Sequence, residues 1–216
     1  MHIEPGLVAQ AKVMFANVAA GGVLASYAKF LVKQPGDILR TMFAALFFSI
    51  FMESFYASVG PSELHFVGAM VMYLTLGFVP TLFGFAIGLL LQGFFFTPTD
   101  LVHLGVNSLS LIIPLITVHY TIGKKYREQG RALGWKNIVK LDAMYYAGVT
   151  SMVGFWLLLS DVQTPFASWA AFAASYLVVV VAEPIFTFSA LQLLKRYEHK
   201  TWIQNCFAVT SIRLAK

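Results

Sequence analysis

The sequence has few charged residues and a single cysteine, and each scarcity excludes classes of protein. Only 12% of its 216 residues are Asp, Glu, Lys or Arg, whereas soluble domains carry about 25%. The missing charge argues against a soluble enzyme and against a disordered chain, and indicates a protein whose solvent is lipid. One cysteine, Cys206, can form neither a disulfide framework nor a cysteine-rich metal site.

Motifs of common enzyme chemistry are also missing from the sequence. There is no Walker-type phosphate loop, and the pairs Gly21-Gly22 and Gly84/Gly88 have spacings typical of helix packing. There is no HExxH motif, and Ser62 belongs to a Gly-Pro-Ser turn rather than to a serine-protease setting. The start lacks a basic region ahead of its apolar stretch, so we expect no cleavable signal peptide. The sequence therefore predicts no enzyme.

Long apolar segments account for most of the chain. A spanning helix needs about 20 largely apolar residues. Seven segments qualify or come close, and polar or Gly/Pro-containing turns separate them: 7–32, 39–58, 64–78, 81–96, 104–122, 141–160 and 166–194. The sequence predicts an all-α polytopic membrane protein of about seven transmembrane helices, in a single domain over residues 1–216.

The positive charges predict how these helices are oriented. With alternating spans, every Lys and Arg except Lys12 falls on the side that holds the basic loop 123–140 and the tail 195–216. Because cytoplasmic loops are rich in Lys and Arg, this side is predicted to be cytoplasmic and the N-terminus to lie outside. The net charge of +5 then reflects topology and anionic lipid, and nucleic acid is not expected as a partner.

The first two residues could chelate a metal ion. His2 is too large for removal of Met1, so the Met1 amine and the amide and imidazole nitrogens of His2 can place three nitrogens in one plane. One further neutral nitrogen would complete a square site of the kind that favours Ni(II) or Cu(II). Such binding displaces protons, so the affinity should collapse in acid. An ordinary frayed terminus is the alternative interpretation.

Other candidate ligands lie on the same predicted side. His65 follows the turn at 60–62 and is a candidate fourth ligand, or else a helix cap or lipid-interface residue. His103 is a further candidate ligand or an interfacial histidine. Asn107, one turn later, could orient a ligand by a hydrogen bond or join two helices, and Glu63 lies in the His65 loop.

The acidic residues Glu183 and Glu53 lie within predicted spans and call for an explanation. A carboxylate inside a membrane is costly and marks a functional site by default. Glu183, followed by Pro184, could also be a protonated packing device at a kink. Glu53 could face the metal loop or pair with Lys12. Neither acid is predicted to be a ligand.

Three stretches of the sequence resemble the CbiM/NikM family, the substrate-binding membrane subunits of cobalt and nickel energy-coupling factor transporters. They are MHIEPG at 1–6, GPSELH at 60–65, and LLLQGFFF at 89–96 leading to LGVN at 104–107. The resemblance implies a seven-helix bundle with the N-terminal segment 1–6 inserted from outside. It also implies that Met1, His2 and His65 bind the metal.

The resemblance also implies partners and a location. The partners are a transmembrane coupling subunit, two cytoplasmic ATPase subunits and sometimes a small extra membrane subunit, in a bacterial or archaeal cytoplasmic membrane. Asn107 matches an asparagine that lies near the site in this family. His103 stands where a threonine is common, and Glu4-Pro5 reverse the usual order. A fifth ligand from His103 would favour Co(II) over Ni(II).

We therefore predict a membrane subunit that captures Ni(II) or Co(II) outside the cell for ATP-driven uptake. Three alternatives stay open from the residues. The first is a similar subunit for an organic ligand such as a vitamin, which would have no use for the Met1 amine. The second is a membrane enzyme in which His65, His103 and Glu63 act in acid–base catalysis. The third is a structural subunit of a larger complex.

Overall fold

The computed structural model describes residues 8–59 and 62–215, and it consists mainly of helices. The elements, in chain order, are α1 (Gln10–Lys33), α2 (Pro35–Ser54), β1 (Tyr56–Val59), β2 (Ser62–His65), α3 (Ala69–Leu76), α4 (Phe78–Phe95), a 3-10 helix (Pro98–His103), α5 (Leu104–Val118), a π-helical turn (His119–Gly123), α6 (Lys124–Arg127), β3 (Ala132–Leu133), α7 (Trp135–Leu158), α8 (Phe166–Arg196), α9 (Thr201–Cys206) and β4 (Arg213–Leu214). The predicted all-α class is confirmed, and the two small sheets are additions to it.

Within the described residues, five helical segments are long and apolar enough to cross a membrane: α1, α2, α4, α8 and the continuous stretch Pro98–Arg127. Helix α7 has 24 residues but carries Lys136, Lys140 and Asp142 in its first half. Each of the seven predicted segments contains a helix. The third, however, yields only the eight residues of α3, which rise about 12 Å and cannot span a bilayer of about 30 Å.

Helix α3 lies at the centre of the bundle. All eight of its residues are buried, and Met70, Tyr73 and Leu74 are part of the hydrophobic core. A glycine bounds it at each end: Gly68 has φ 66° and Gly77 has φ 115°, a region that L residues with side chains rarely adopt. These two glycines explain why the helix is shorter than the apolar segment that contains it.

Glycines also allow α2 and α4 to pack closely. A Cβ atom on Gly84 would lie 2.4 Å from the Ala44 Cβ, and one on Gly88 would lie 2.5 Å from a Phe48 ring carbon. Small residues at helix interfaces let backbones approach in membranes, where close packing drives association. The sequence interpretation of this glycine pair as a helix-packing spacing agrees with these contacts.

Substitution of Gly84 by Ala is expected to destabilise the bundle. The added methyl group overlaps Ala44, and overpacking of this kind costs about 1–3 kcal/mol. Gly22→Ala is the matched control, because nothing lies within 4 Å of a Cβ at that position. Thermal unfolding in detergent should show a lower midpoint for Gly84→Ala only. Equal midpoints for the two variants would contradict the packing argument.

The two segments predicted to be cytoplasmic meet at one end of the bundle. Strands β3 and β4 pair in parallel, with Ala132 opposite Arg213, and the Ala208 N–H donates to the Thr75 carbonyl at 2.6 Å. The tail beyond α8 therefore packs back on the bundle. The predicted loop 123–140 is mostly helical, because it contains all of α6, which ends at Arg127, and the first residues of α7, which begins at Trp135. Which side of the membrane this end faces stays a prediction.

Candidate metal-binding site

A β-hairpin presents the candidate ligand His65. Strands β1 and β2 are antiparallel, and Tyr56 pairs with His65 and Ser58 with Glu63. The predicted helix 39–58 is wrong at its end, because α2 stops at Ser54 and the chain continues as a strand. Pairing between the two strands satisfies backbone groups that a helix would otherwise bond internally. Hydropathy alone does not distinguish the two outcomes.

The ring of His65 is held from both sides. The side chain is buried, with its Nδ1 3.1 Å from the Met52 carbonyl oxygen and its Nε2 3.0 Å from Glu63 Oε2. A carbonyl oxygen can only accept, so Nδ1 carries the hydrogen. Nε2 is then the nitrogen that donates to Glu63 when the ring is protonated, or offers a lone pair to a metal. Metal-ligating histidines characteristically donate their other N–H to a carbonyl or carboxylate.

A polar contact joins α2 to α4 one residue beyond Met52. The Nε2 of Gln92 donates to Glu53 Oε1 at 2.9 Å, and Glu53 adjoins Met52, the carbonyl partner of His65. The suggested pairing of Glu53 with Lys12 is wrong: Lys12 instead contacts Asp161 at 2.8 Å. Sequence reasoning assigned Gln92 no role of its own, although a buried amide inside the apolar 89–96 stretch was the available signal.

His103 and Asn107 lie where the 3-10 helix passes into α5. Both side chains are buried, with 1% of each exposed, so His103 is not an exposed interfacial residue. Among the described residues, the Asn107 Oδ1 has no hydrogen-bond partner. An unsatisfied buried amide oxygen is costly and calls for a ligand or water. The position of Asn107 is therefore compatible with the predicted orienting role.

Helix α1 explains how this corner is fixed. Asn17 Oδ1 accepts a hydrogen bond from the Gly105 N–H at 2.8 Å, which satisfies a free donor in the first turn of α5. A Cβ on Gly105 would lie within 2.4–2.5 Å of Asn17 atoms. Asn17, a polar residue of a kind that is unusual in contact with lipid, thus joins α1 to α5.

The residue at which the described chain begins is packed inside the bundle. Val8 is buried in an apolar cluster that includes Val106 and Leu109, on either side of Asn107, and Trp156 of α7. The cluster continues along α1 through Val13.

The predicted ligands Met1 and His2 lie outside the described residues. Within 8–59 and 62–215, no group of three His, Cys, Asp or Glu side chains is arranged to hold a metal ion. His65, His103 and Glu63 therefore do not assemble a complete ligand set from that part of the chain. The acid–base alternative, which used the same three residues, gains no support there.

Comparisons with known proteins identify the family. The family model CbiM, described as the cobalt uptake substrate-specific transmembrane region, matches residues 2–201. No curated protein matches the chain at a significant level. Its fold is similar to a crystal structure described as a transition metal transporter, with a TM-score of 0.74 and 20% identity over 94% of this chain and 96% of the other. The chain therefore belongs to the CbiM family of cobalt-uptake substrate-specific transmembrane regions.

Proposed function

We propose that this protein captures a divalent transition metal ion, Ni(II) or Co(II), on the outer side of a bacterial or archaeal cytoplasmic membrane. The Met1 amine, when Met1 begins the chain, would bind with the amide and imidazole nitrogens of His2. His65 would complete the site through Nε2. The ion is the substrate of the protein, to be released inward during uptake.

The geometry of His65 is the observation that carries this proposal. Its Nδ1–H is fixed on the Met52 carbonyl, so the ring is oriented before any ion arrives, and Nε2, which contacts Glu63 in the structure, is the nitrogen that can bind a metal. Nitrogen donors suit Ni and Co. The described residues supply no three-residue metal group, so this single imidazole needs donors from another part of the chain, as a terminal chelate would provide.

Three further residues would support the ligands. Glu63, 3.0 Å from the His65 Nε2, would balance part of the positive charge of the ion. Asn107, whose buried oxygen has no hydrogen-bond partner among the described residues, would accept a hydrogen bond from a ligand. His103 remains a candidate fifth ligand that would favour Co(II), which tolerates higher coordination numbers than square-planar Ni(II).

Membership in a family of substrate-specific components implies separate subunits for energy coupling. We propose a transmembrane coupling subunit and two cytoplasmic ATPase subunits as partners, with a small auxiliary membrane subunit in some assemblies. The family and fold point to a transporter component rather than an enzyme. A binding subunit for an organic ligand is the competing function, and it would not depend on a free N-terminus.

The metal content of detergent-purified protein tests the proposal. Protein with a native N-terminus and a C-terminal tag should hold about one Ni or Co per chain after loading and desalting. An N-terminal extension, which converts the amine to an amide, should abolish this content. His2→Gln, which keeps Met1 in place but removes the imidazole, should do the same.

A control separates the terminal chelate from general metal capture. His199→Gln removes an exposed histidine of the tail and should leave the stoichiometry unchanged. Equal metal in the native, extended and His2→Gln proteins would show that the terminal chelate is wrong. No metal in any of them would favour the organic-ligand subunit.

A further inference from the structure

Two carboxyl groups lie inside the helix bundle, away from the candidate metal ligands. Glu183 on α8 and Asp142 on α7 are each 0% exposed. Asp142 lies one helical turn before Tyr146, whose hydroxyl contacts Glu183, and the two carboxyl groups are within hydrogen-bonding reach of each other. No Lys, Arg or His of residues 8–59 and 62–215 forms a salt bridge with either group. A buried pair of like charges without a counter-ion is strongly unfavourable.

The two carboxyl groups differ in their hydrogen bonds. Glu183 Oε1 accepts from the Met70 N–H at 2.8 Å, and its Oε2 accepts from the Tyr146 hydroxyl. Both Glu183 oxygens thus act as acceptors, as in an ionised carboxylate. Neither oxygen of Asp142 has a donor among the described residues. Asp142 therefore needs a hydrogen of its own to make a favourable contact with Glu183.

The other groups that face the pair cannot replace this hydrogen. From α7 they are Tyr145 and Tyr146, from α8 Tyr176, and from α3 the backbone. The hydroxyl of Tyr145 is buried and has no hydrogen-bond partner in the described chain. The pair is thus surrounded by neutral groups, and no cation from those elements compensates a second negative charge.

We propose that Asp142 and Glu183 form a proton-binding site, in which one proton stays on Asp142 and forms a hydrogen bond to Glu183. This singly charged pair positions α3 and the β-hairpin that carries His65. The pair then holds one negative charge, which is stabilised by the Met70 N–H and the Tyr146 hydroxyl.

The link to His65 follows from the chain path. Met70 is the second residue of α3, and the N-cap Gly68 provides no side-chain cap. Glu183 therefore takes the place of a capping residue from another helix, and its negative charge suits the N-terminus of α3. Only residues 66–68 separate His65 from α3. Glu183 and Asp142 are thus positioning residues for His65, a part of the inference that rests on the proposed function.

Infrared spectroscopy of the full-length protein in detergent tests the proton. At neutral pH we expect the carbonyl stretch of a protonated carboxylic acid, which lies apart from the carboxylate bands. Asp142→Asn should remove this band, and Glu183→Gln should shift it, because Asp142 would then face a neutral amide. A missing band in the wild type, or an unchanged band in Asp142→Asn, would overturn the proton site.

Titration with Ni(II) and with Co(II) tests the positioning role. Asp142→Asn keeps a neutral donor toward Glu183, so its affinity should stay close to wild type. Glu183→Gln removes the charged cap and should lower the affinity about tenfold, at the lower end of the loss seen for outer-shell partners of metal sites. Glu198→Gln, the same change in the tail, is the control and should have no effect.

The outcomes separate this inference from the proposed function. If wild-type protein binds neither ion, the proposed function fails, while the infrared band still decides whether the pair holds a proton. If wild type binds metal and Glu183→Gln binds it equally well, the positioning role is overturned. If Glu183→Gln does not fold, a large loss of affinity in the neutral mimic Asp142→Asn would overturn it, and wild-type affinity there would support it.

Discussion

Replacement of His65 by Gln is expected to lower the affinity for Ni(II) and Co(II) by more than about 100-fold. Loss of an outer-shell partner of a metal site costs about 10–100-fold, and loss of a ligand should cost more. The glutamine side chain can still reach the Met52 carbonyl through its amide hydrogens. It cannot, however, offer a nitrogen lone pair where the His65 Nε2 lies.

Competition titration against a metal chelator, at fixed pH, measures this effect. The pH must be held constant because protons compete with the metal ion for an imidazole ligand. His199→Gln, in the exposed tail, is the matched substitution and should retain wild-type affinity. The thermal unfolding midpoint of metal-free His65→Gln should be compared with that of metal-free wild type, so that misfolding is recognised. Wild-type affinity in a folded His65→Gln protein would exclude His65 as a ligand.

The apolar segments were sufficient to predict where the helices lie along the chain, but not how long each helix is. The segment 64–78 contains enough apolar residues to suggest a span, yet Gly68 and Gly77 adopt positive φ and reduce it to α3. The backbone angles of a glycine depend on its tertiary contacts, such as the Phe51 ring that a Gly68 Cβ would overlap. Hydropathy carries no such information.

The site was predictable in part for a similar reason. A histidine after a Gly-Pro-Ser turn is visible in the sequence, and the structure places His65 with one ring nitrogen on a backbone carbonyl. The partner, Met52, could not be found from the sequence because it contributes only its carbonyl oxygen. The predictions for Met1 and His2 concern residues outside the described chain and stay predictions.

Charged residues were the least well predicted. Arg127 was counted only as a basic loop residue that fixes topology, whereas its guanidinium binds the backbone inside the bundle. Asp142, the second residue of the predicted span 141–160, was assigned no role, and it lies well inside α7, which begins at Trp135. A count of charges per loop cannot show which charged side chain points into the bundle. The direction of the side chain depends on unsatisfied backbone groups elsewhere in the fold.

Two charged side chains, Glu183 and Arg127, contact the two ends of helix α3. Glu183 accepts from the Met70 N–H at its start, and Arg127 Nη1 donates to the carbonyls of Tyr73 at 2.7 Å and Leu74 at 2.8 Å near its end. An anion at the N-terminus and a cation at the C-terminus both match the helix dipole. A helix of eight residues is marginal by itself, so these two contacts and the surrounding core maintain it.

Replacement of Arg127 by Met is therefore expected to destabilise the protein by about 3 kcal/mol, since hydrogen bonds from a charged group contribute about 1.5–3 kcal/mol and the carbonyls lose their donor. Methionine keeps much of the length and apolar stem of the side chain, so the loss reports mainly on the guanidinium. Denaturant or thermal unfolding of the purified protein measures it.

Arg131→Met is the matched control for this substitution. Arg131 is exposed, and its guanidinium lies 5.9 Å from the centre of the Tyr126 ring, a contact that contributes only about 0.5–1 kcal/mol at an exposed site. Hydrogen exchange adds a local measure, because α3 amides should lose protection in Arg127→Met and retain it in Arg131→Met. Similar stability and similar α3 protection in the two variants would show that α3 does not depend on its C-terminal cation.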